Sequence, residues 1–79
     1  MRKCFTQKQG QYLAFIYYYE KIHGVPPARV DMERYFKMEW GAVQRMIQSL
    51  IKIGFIEQTP GKARSIRLLL SREDIPDLE

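Results

Sequence analysis

Along the first third of the chain, apolar residues return every three or four positions. Tyr12, Phe15, Ile16, Tyr19 and Ile22 share one face, with Leu13 at its edge, which predicts a helix over residues 6–23. Thr6 followed by Gln9 has the spacing of a capping box, and Gly24 with Pro26-Pro27 ends the run. Tyr17 and Tyr18 point away from the packing face. Met32, Tyr35 and Phe36 predict a short second helix over 28–37, with Pro27 suited to its first turn and Arg29, Glu33 and Lys37 outside. A third helix follows over 41–53, after a connection so short that the two helices must cross steeply. Trp40, in that connection, either forms a contact site or fills the core at the bend, and the core is favoured. Past Gly54, β-rich runs over 55–59 and 65–70 flank Pro60-Gly61-Lys62-Ala63-Arg64 and predict a two-stranded hairpin. The fold class is therefore α+β, mainly α: a three-helix winged helix-turn-helix with a C-terminal two-stranded β-hairpin wing.

The third helix has two unlike sides. Val43, Met46, Ile47, Leu50, Ile51 and Ile53 fall within an arc of about 160° at 100° per residue. Gln44, Arg45, Gln48, Ser49 and Lys52 take the opposite arc, which holds no acid. Cations, amides and a hydroxyl suit a polyanion whose base edges hydrogen-bond: Arg pairs with guanine O6 and N7, Gln with adenine N6 and N7. Gln44 and Arg45, one turn into the helix, are the expected base contacts. Gln48, Ser49 and Lys52 lie farther along the same side and are further candidates for base or phosphate contact. Lys62 and Arg64 in the hairpin loop, with Arg29, are expected on phosphates alone. The plain alternatives are a solvated helix surface for Gln44 and Ser49 and, for the loop, charge that merely follows exposure.

Composition narrows the classes. Seventy-nine residues, 46% hydrophobic and 28% charged, make one small globular domain. The net charge of +4 hides an asymmetry, since residues 1–70 hold twelve Lys/Arg against five Asp/Glu while 71–79 hold one against four. The division expected is a basic domain over 1–70 and an acidic, flexible tail over 71–79. The longest apolar stretch, Tyr12 to Tyr19, is too short for a membrane span, and no apolar leader follows Met1-Arg2-Lys3-Cys4-Phe5, so a cytoplasmic, nucleoid-associated protein is expected. One cysteine, Cys4, and one histidine, His23, cannot form a disulfide or supply four zinc ligands, so no metal or cofactor is expected.

From Phe5 to Leu69 the chain resembles the N-terminal DNA-binding domain of the LexA repressors. The resemblance rests on Phe5-Thr6 with Gln9, on Gly24-Val25-Pro26-Pro27-Ala28-Arg29, on Leu50 with Gly54-Phe55-Ile56-Glu57, and on Gly61-Lys62-Ala63-Arg64-Ser65-Ile66-Arg67-Leu68-Leu69. It implies a winged helix-turn-helix that binds operator double-stranded DNA in the major groove. At the start of the recognition helix the family typically carries Ser, Asn and a pair of Glu. The corresponding positions here are Glu39, Gly41, Gln44 and Arg45, with Trp40 replacing a proline, so the family's operator does not carry over. Family members continue into a C-terminal domain that dimerises and cleaves itself with a serine and lysine pair. This chain ends about ten residues past the wing, and a stand-alone regulator of bacterial or phage type, without that peptidase domain, is expected.

The functional expectation is sequence-specific double-stranded DNA binding by a transcriptional regulator, helped by a homodimer or a regulatory protein partner, with no membrane or small-molecule substrate. The competing class is a protein-interaction module built on a winged helix, for which the tail with Ile75 and Leu78 offers a short linear motif. Such a module would tolerate an apolar or mixed-sign outer side on helix three, which this chain lacks. Enzyme chemistry is the least supported class, since neither His23 nor Cys4 has an assignable catalytic partner.

Overall fold

In the computed structural model, described from Phe5 to Glu79, three helices run in order as α1 (Gln7–His23), α2 (Arg29–Phe36) and α3 (Trp40–Ile53). A two-stranded antiparallel sheet follows, β1 (Ile56–Glu57) and β2 (Arg67–Leu68), and then a single 3-10 turn, Arg72–Asp74. This is the predicted class, mainly helical with a hairpin wing. Met1–Cys4, and with them the reading of Cys4, lie outside the described residues. Among the described residues no helix is long and apolar enough to cross a membrane.

Each helix begins where its backbone donors find acceptors. Thr6 and Gln9 form the reciprocal capping box, with Gln9 N–H donating to Thr6 Oγ1 at 3.1 Å and Thr6 N–H to Gln9 Oε1 at 2.9 Å. Ala28 has no side-chain oxygen to cap α2, so Asp31 reaches back and accepts from the Ala28 N–H at 2.8 Å. Pro27 thus precedes the helix rather than sitting in its first turn. α3 starts one residue earlier than the hydrophobic pattern suggested, at Trp40, and closes with Gly54 N–H donating to the carbonyls of Leu50 and Ile51.

The core joins Tyr12, Leu13 and Ile16 of α1 to Met32 of α2, Val43, Ile47 and Leu50 of α3, and Ile56 and Ile66 of the wing. Aromatic rings tie α1 to α2: Tyr12 stacks on Phe36 at 4.1 Å and Phe15 lies 4.7 Å from Tyr35. Such pairs add about 0.5–1.5 kcal/mol each beyond their buried area. Ile22, Tyr35 and Trp40, read as core, are exposed, as is Ile53 of the third helix's apolar arc. Ile22 lies in the last turn of α1, past the end of the packing surface, and Tyr35 turns its ring edge out so that its hydroxyl donates to the Glu79 carbonyl at 3.0 Å. Trp40 is 54% exposed, because the first turn of α3 overhangs the core and its indole lies beside Arg29.

The wing strands are two residues each, not the five or six expected over 55–59 and 65–70. Ile56 pairs with Leu68 and Glu57 with Arg67, and Leu69 N–H donates to the Phe55 carbonyl at 2.9 Å beyond them. Past Glu57 the ladder gives way to side-chain bonds. Ser65 Oγ accepts from Thr59 N–H at 3.1 Å and lies 2.8 Å from the Lys62 carbonyl, while Pro60 has no N–H to offer and Gly61 turns at φ +74°.

Residues 71–79, expected as a free acidic tail, lie across the back of α1. Ile75 is buried, and Arg72 sits over the rings of Tyr17 and Tyr18 at 5.1 and 5.7 Å. Gln11 donates to the Asp77 carbonyl at 3.1 Å and accepts from Glu79 N–H at 2.8 Å. The chain passes so close to Gly10 that a Cβ there would meet Pro76 Cγ at 3.1 Å and Phe5 Cε1 at 2.8 Å. Composition alone does not signal this packing, which rests on buried Ile75 and half-buried Pro76 and Leu78. Ile75→Ala is expected to lower unfolding free energy by roughly 2 kcal/mol, at the low end for a buried Ile near a chain terminus. Urea denaturation measures this, and a loss under about 0.5 kcal/mol, the usual range for a surface site, would show the segment to be unattached.

Candidate nucleic-acid interface

Burial along α3 follows the helical wheel. Val43, Ile47 and Leu50 are buried, Met46 and Ile51 half-buried, and Arg45, Gln48 and Lys52 exposed in the middle of the opposite arc. Ile53, at the edge of the apolar arc in the last turn, is exposed as well. Gln44 and Ser49 flank the exposed stripe and are half-buried. The Ser49 hydroxyl donates to the Met46 carbonyl of its own helix at 2.9 Å, which leaves it only acceptor capacity toward a ligand. Arg45 lies along the helix toward Gly41, where a Cβ would stand 3.4 Å from its Nη1. Among the described residues none pairs with the side chains of Arg45, Gln48, Lys52 or Lys62, so their donors face water.

The wing folds beside this stripe. Between it and the helices runs a groove of about 390 Å³ whose wall includes Arg29, Gln44, Gln58, Thr59, Lys62 and Arg64. The fold therefore gathers Gln44, Arg29, Lys62 and Arg64 around one depression, with Arg45, Gln48 and Lys52 on the adjoining ridge. Gln58 and Thr59 belong to that wall too, and no sequence signal distinguished them from ordinary strand-end polar residues.

The cations of the groove differ in what they are free to do. Lys62 is exposed at the loop tip. The Arg29 guanidinium pairs with Glu33 at 2.9 Å and lies 5.1 Å from the centre of the Trp40 ring. Trp40 is a surface residue that sequence reasoning placed in the core. The usable signal was its position in the first helical turn, four residues before Gln44 and so next to it on the helix surface.

Arg64 turns inward. Its Nη1 donates to the Tyr19 hydroxyl at 3.1 Å, to the Pro26 carbonyl at 3.3 Å and to Asp31 Oδ2 at 3.0 Å. Partial burial by itself raises the pKa of the Asp31 carboxyl. The Ala28 N–H, the charge of Arg64 and hydrogen bonds from Tyr19 and Arg64 outweigh it and hold the group below its ordinary range. A carboxyl with a depressed folded-state pKa adds stability that is complete above its unfolded value and is lost as the pH falls through the folded one. Unfolding measured at neutral pH and again in acid, below about pH 3, is expected to show a smaller loss for Asp31→Asn than for the unaltered chain. Equal acid losses would mean that Asp31 is not ionised in this network.

The model of the LexA DNA binding domain family matches residues 2–65. The LexA repressor of Actinobacillus pleuropneumoniae (serotype 5b) is 32% identical over 75 residues, covering 92% of this chain and 35% of the relative. That of Cellvibrio japonicus is 36% identical over 72 residues, covering 90% of this chain and 36% of the relative. That of Pseudomonas aeruginosa is 37% identical over 65 residues, covering 80% and 31%. The chain spans about a third of the length of the curated relatives it matches.

Proposed function

Because the chain belongs to the LexA DNA-binding domain family, we propose that it binds double-stranded DNA sequence-specifically as a transcriptional regulator. The observation that carries this reading is the exposed, acid-free stripe of Arg45, Gln48 and Lys52 on α3, flanked by a wing with Lys62 at its tip. α3 enters the major groove, which is wide enough to admit a helix, and presents Arg45 and Gln48 to base edges with Gln44 at the side nearest the wing. Lys52 and Lys62 lie on phosphates to either side. Arg29, already paired with Glu33, adds a weaker phosphate contact and orients the Trp40 indole, whose apolar face suits a sugar or a thymine methyl.

Charge placement favours this orientation. The acids of residues 71–79 lie behind α1, against Gln11 and Tyr18, whereas the polar arc of α3 faces away from the shared core. A polyanion approaching α3 therefore meets the basic side first. With about four or five phosphates neutralised, log K should fall against log salt with a slope near −4. A single module of this kind covers about 600–1,000 Å² on DNA, so a second copy or a regulatory protein partner raises occupancy in the cell. In this reading the protein works in the cytoplasm at the nucleoid, and it acts through binding, not catalysis.

Selection from a random duplex pool tests the assignment. Arg45→Ala is expected to change which sequences are enriched, losing about 1–3 kcal/mol of discrimination at one base position. Lys62→Ala should weaken all sequences alike and reduce the salt slope by about 0.9. Indistinguishable, unselective pools from the unaltered chain and both variants would rule out base readout by α3.

A further inference from the structure

The sheet that defines the wing contains only two residue pairs. A two-stranded ribbon of that length has little stability of its own, and a loop on it samples many positions unless something else holds it. Ser65 closes the base of the loop but bonds only to other loop residues, Thr59 and Lys62. Ile66 anchors the end of the loop in the core, and among the described residues the side-chain hydrogen bonds from the loop to the helical part are those of Arg64.

Arg64 reaches three separate parts of the body with one nitrogen. Tyr19 belongs to α1, Pro26 to the turn between α1 and α2, and Asp31 to the first turn of α2. Its guanidinium also lies 5.9 Å from the centre of the Tyr19 ring. The backbone at Arg64 is left-handed, φ +54°, a conformation that residues other than glycine avoid and that persists where surrounding contacts enforce it. The side-chain bonds of Arg64 start from this backbone turn. Asp31, for its part, is held by the Ala28 N–H, so the acceptor that receives Arg64 is itself fixed.

We infer that Arg64 is a positioning residue of the wing: it moors the loop to α1 and α2 so that Lys62 is held at a set distance from α3, and it does not serve as a phosphate contact. The inference rests on the DNA-binding reading above and specifies how its wing works. A moored loop reaches the DNA backbone already in register with the recognition helix. An unmoored loop is in register only part of the time, and apparent affinity falls by that fraction.

The two roles for Arg64 predict opposite signs for a change at its partner. If Arg64 were a phosphate contact, Asp31→Asn would remove a competing negative charge and tighten DNA binding. If Arg64 is a mooring, the same change loosens the wing and weakens binding, although the protein becomes more positive. Asn at position 31 retains an acceptor for the Ala28 N–H, which preserves the start of α2.

The experiment measures binding to a selected duplex across a salt series for the unaltered chain, Lys62→Ala, Arg64→Ala and Asp31→Asn, each checked for cooperative unfolding. Amide hydrogen exchange over residues 61–65 and over α3 is followed by NMR in the free proteins. With the docked position held about a tenth of the time once unmoored, Arg64→Ala should bind about tenfold more weakly. Its salt slope should stay that of the unaltered chain, while Lys62→Ala loses about 0.9 from the slope. Asp31→Asn should also bind more weakly, and in both mooring variants exchange should rise in the loop but not in α3. A slope loss for Arg64→Ala equal to that of Lys62→Ala, or tighter binding by Asp31→Asn, would overturn the mooring role and leave the DNA reading standing. No binding of any duplex by the unaltered chain would overturn the DNA reading and this inference with it.

Discussion

Tyr12, Leu13, Ala14, Phe15 and Ile16 are five consecutive helical residues, and all are buried. Successive helical residues point 100° apart, so such a run can leave water only if the helix is covered on more than one side. α1 is therefore a central post. Its front carries α2, α3 and the wing through the shared core, and its back carries residues 71–79 through Gly10, Gln11, Tyr17 and Tyr18. The orientation of the recognition surface follows from this arrangement. With Val43, Ile47 and Leu50 committed to the front of α1, Arg45, Gln48 and Lys52 have only the outer side available.

The same arrangement sorts charge. The basic residues of α3 and the loop tip lie in front of the post, whereas Asp77 accepts from Tyr18 on α1 and Arg72 of the same segment lies over the rings of Tyr17 and Tyr18. A net charge of +4 is thus a poor description of what an approaching ligand meets. The separation gives the molecule a preferred face toward a polyanion without requiring a large total charge, which would strain a domain of 79 residues by self-repulsion. The wing applies a related economy, since its short ladder is supplemented by side-chain bonds from Ser65 and Arg64 in place of additional strand pairs.

Helix content was legible in the sequence because periodicity, capping and stop signals agreed with one another. Thr6 with Gln9, Gly24 ahead of two prolines, and the single apolar arc of α3 each pointed to the same elements that the backbone adopts. The outward stripe of α3 was legible for the same reason: a helix with one buried side has only one other side. The exposure of Trp40, the bonds of Arg64 to the helices and the packing of Ile75 were not legible, because each depends on tertiary partners with no sequence period. A tryptophan in a turn looks like core until the helix is seen to begin at that residue. Nothing in a charged loop signals that Tyr19, Pro26 and Asp31, up to forty-five positions away, accept hydrogen bonds from its exposed arginine.

The kinds of residue that match the family and those that depart from it occupy different parts of this structure. Gly24 to Arg29 and Gly61 to Leu69 carry the resemblance, and they include the Pro26 carbonyl, the loop turn and Arg64, which together fix the wing against the helices. Gln44 and Arg45 replace the acidic pair typical of the family, and they lie on or beside the exposed arc, where substitution costs little in packing. A scaffold whose geometry is set by mooring and burial can change its outer residues without moving its wing or its recognition helix. The family match therefore bears on how this domain is built. In the proposed reading, base choice would rest on Arg45, Gln48 and Gln44, and a cation with two amides suits guanine and adenine edges where a pair of carboxylates would accept from cytosine.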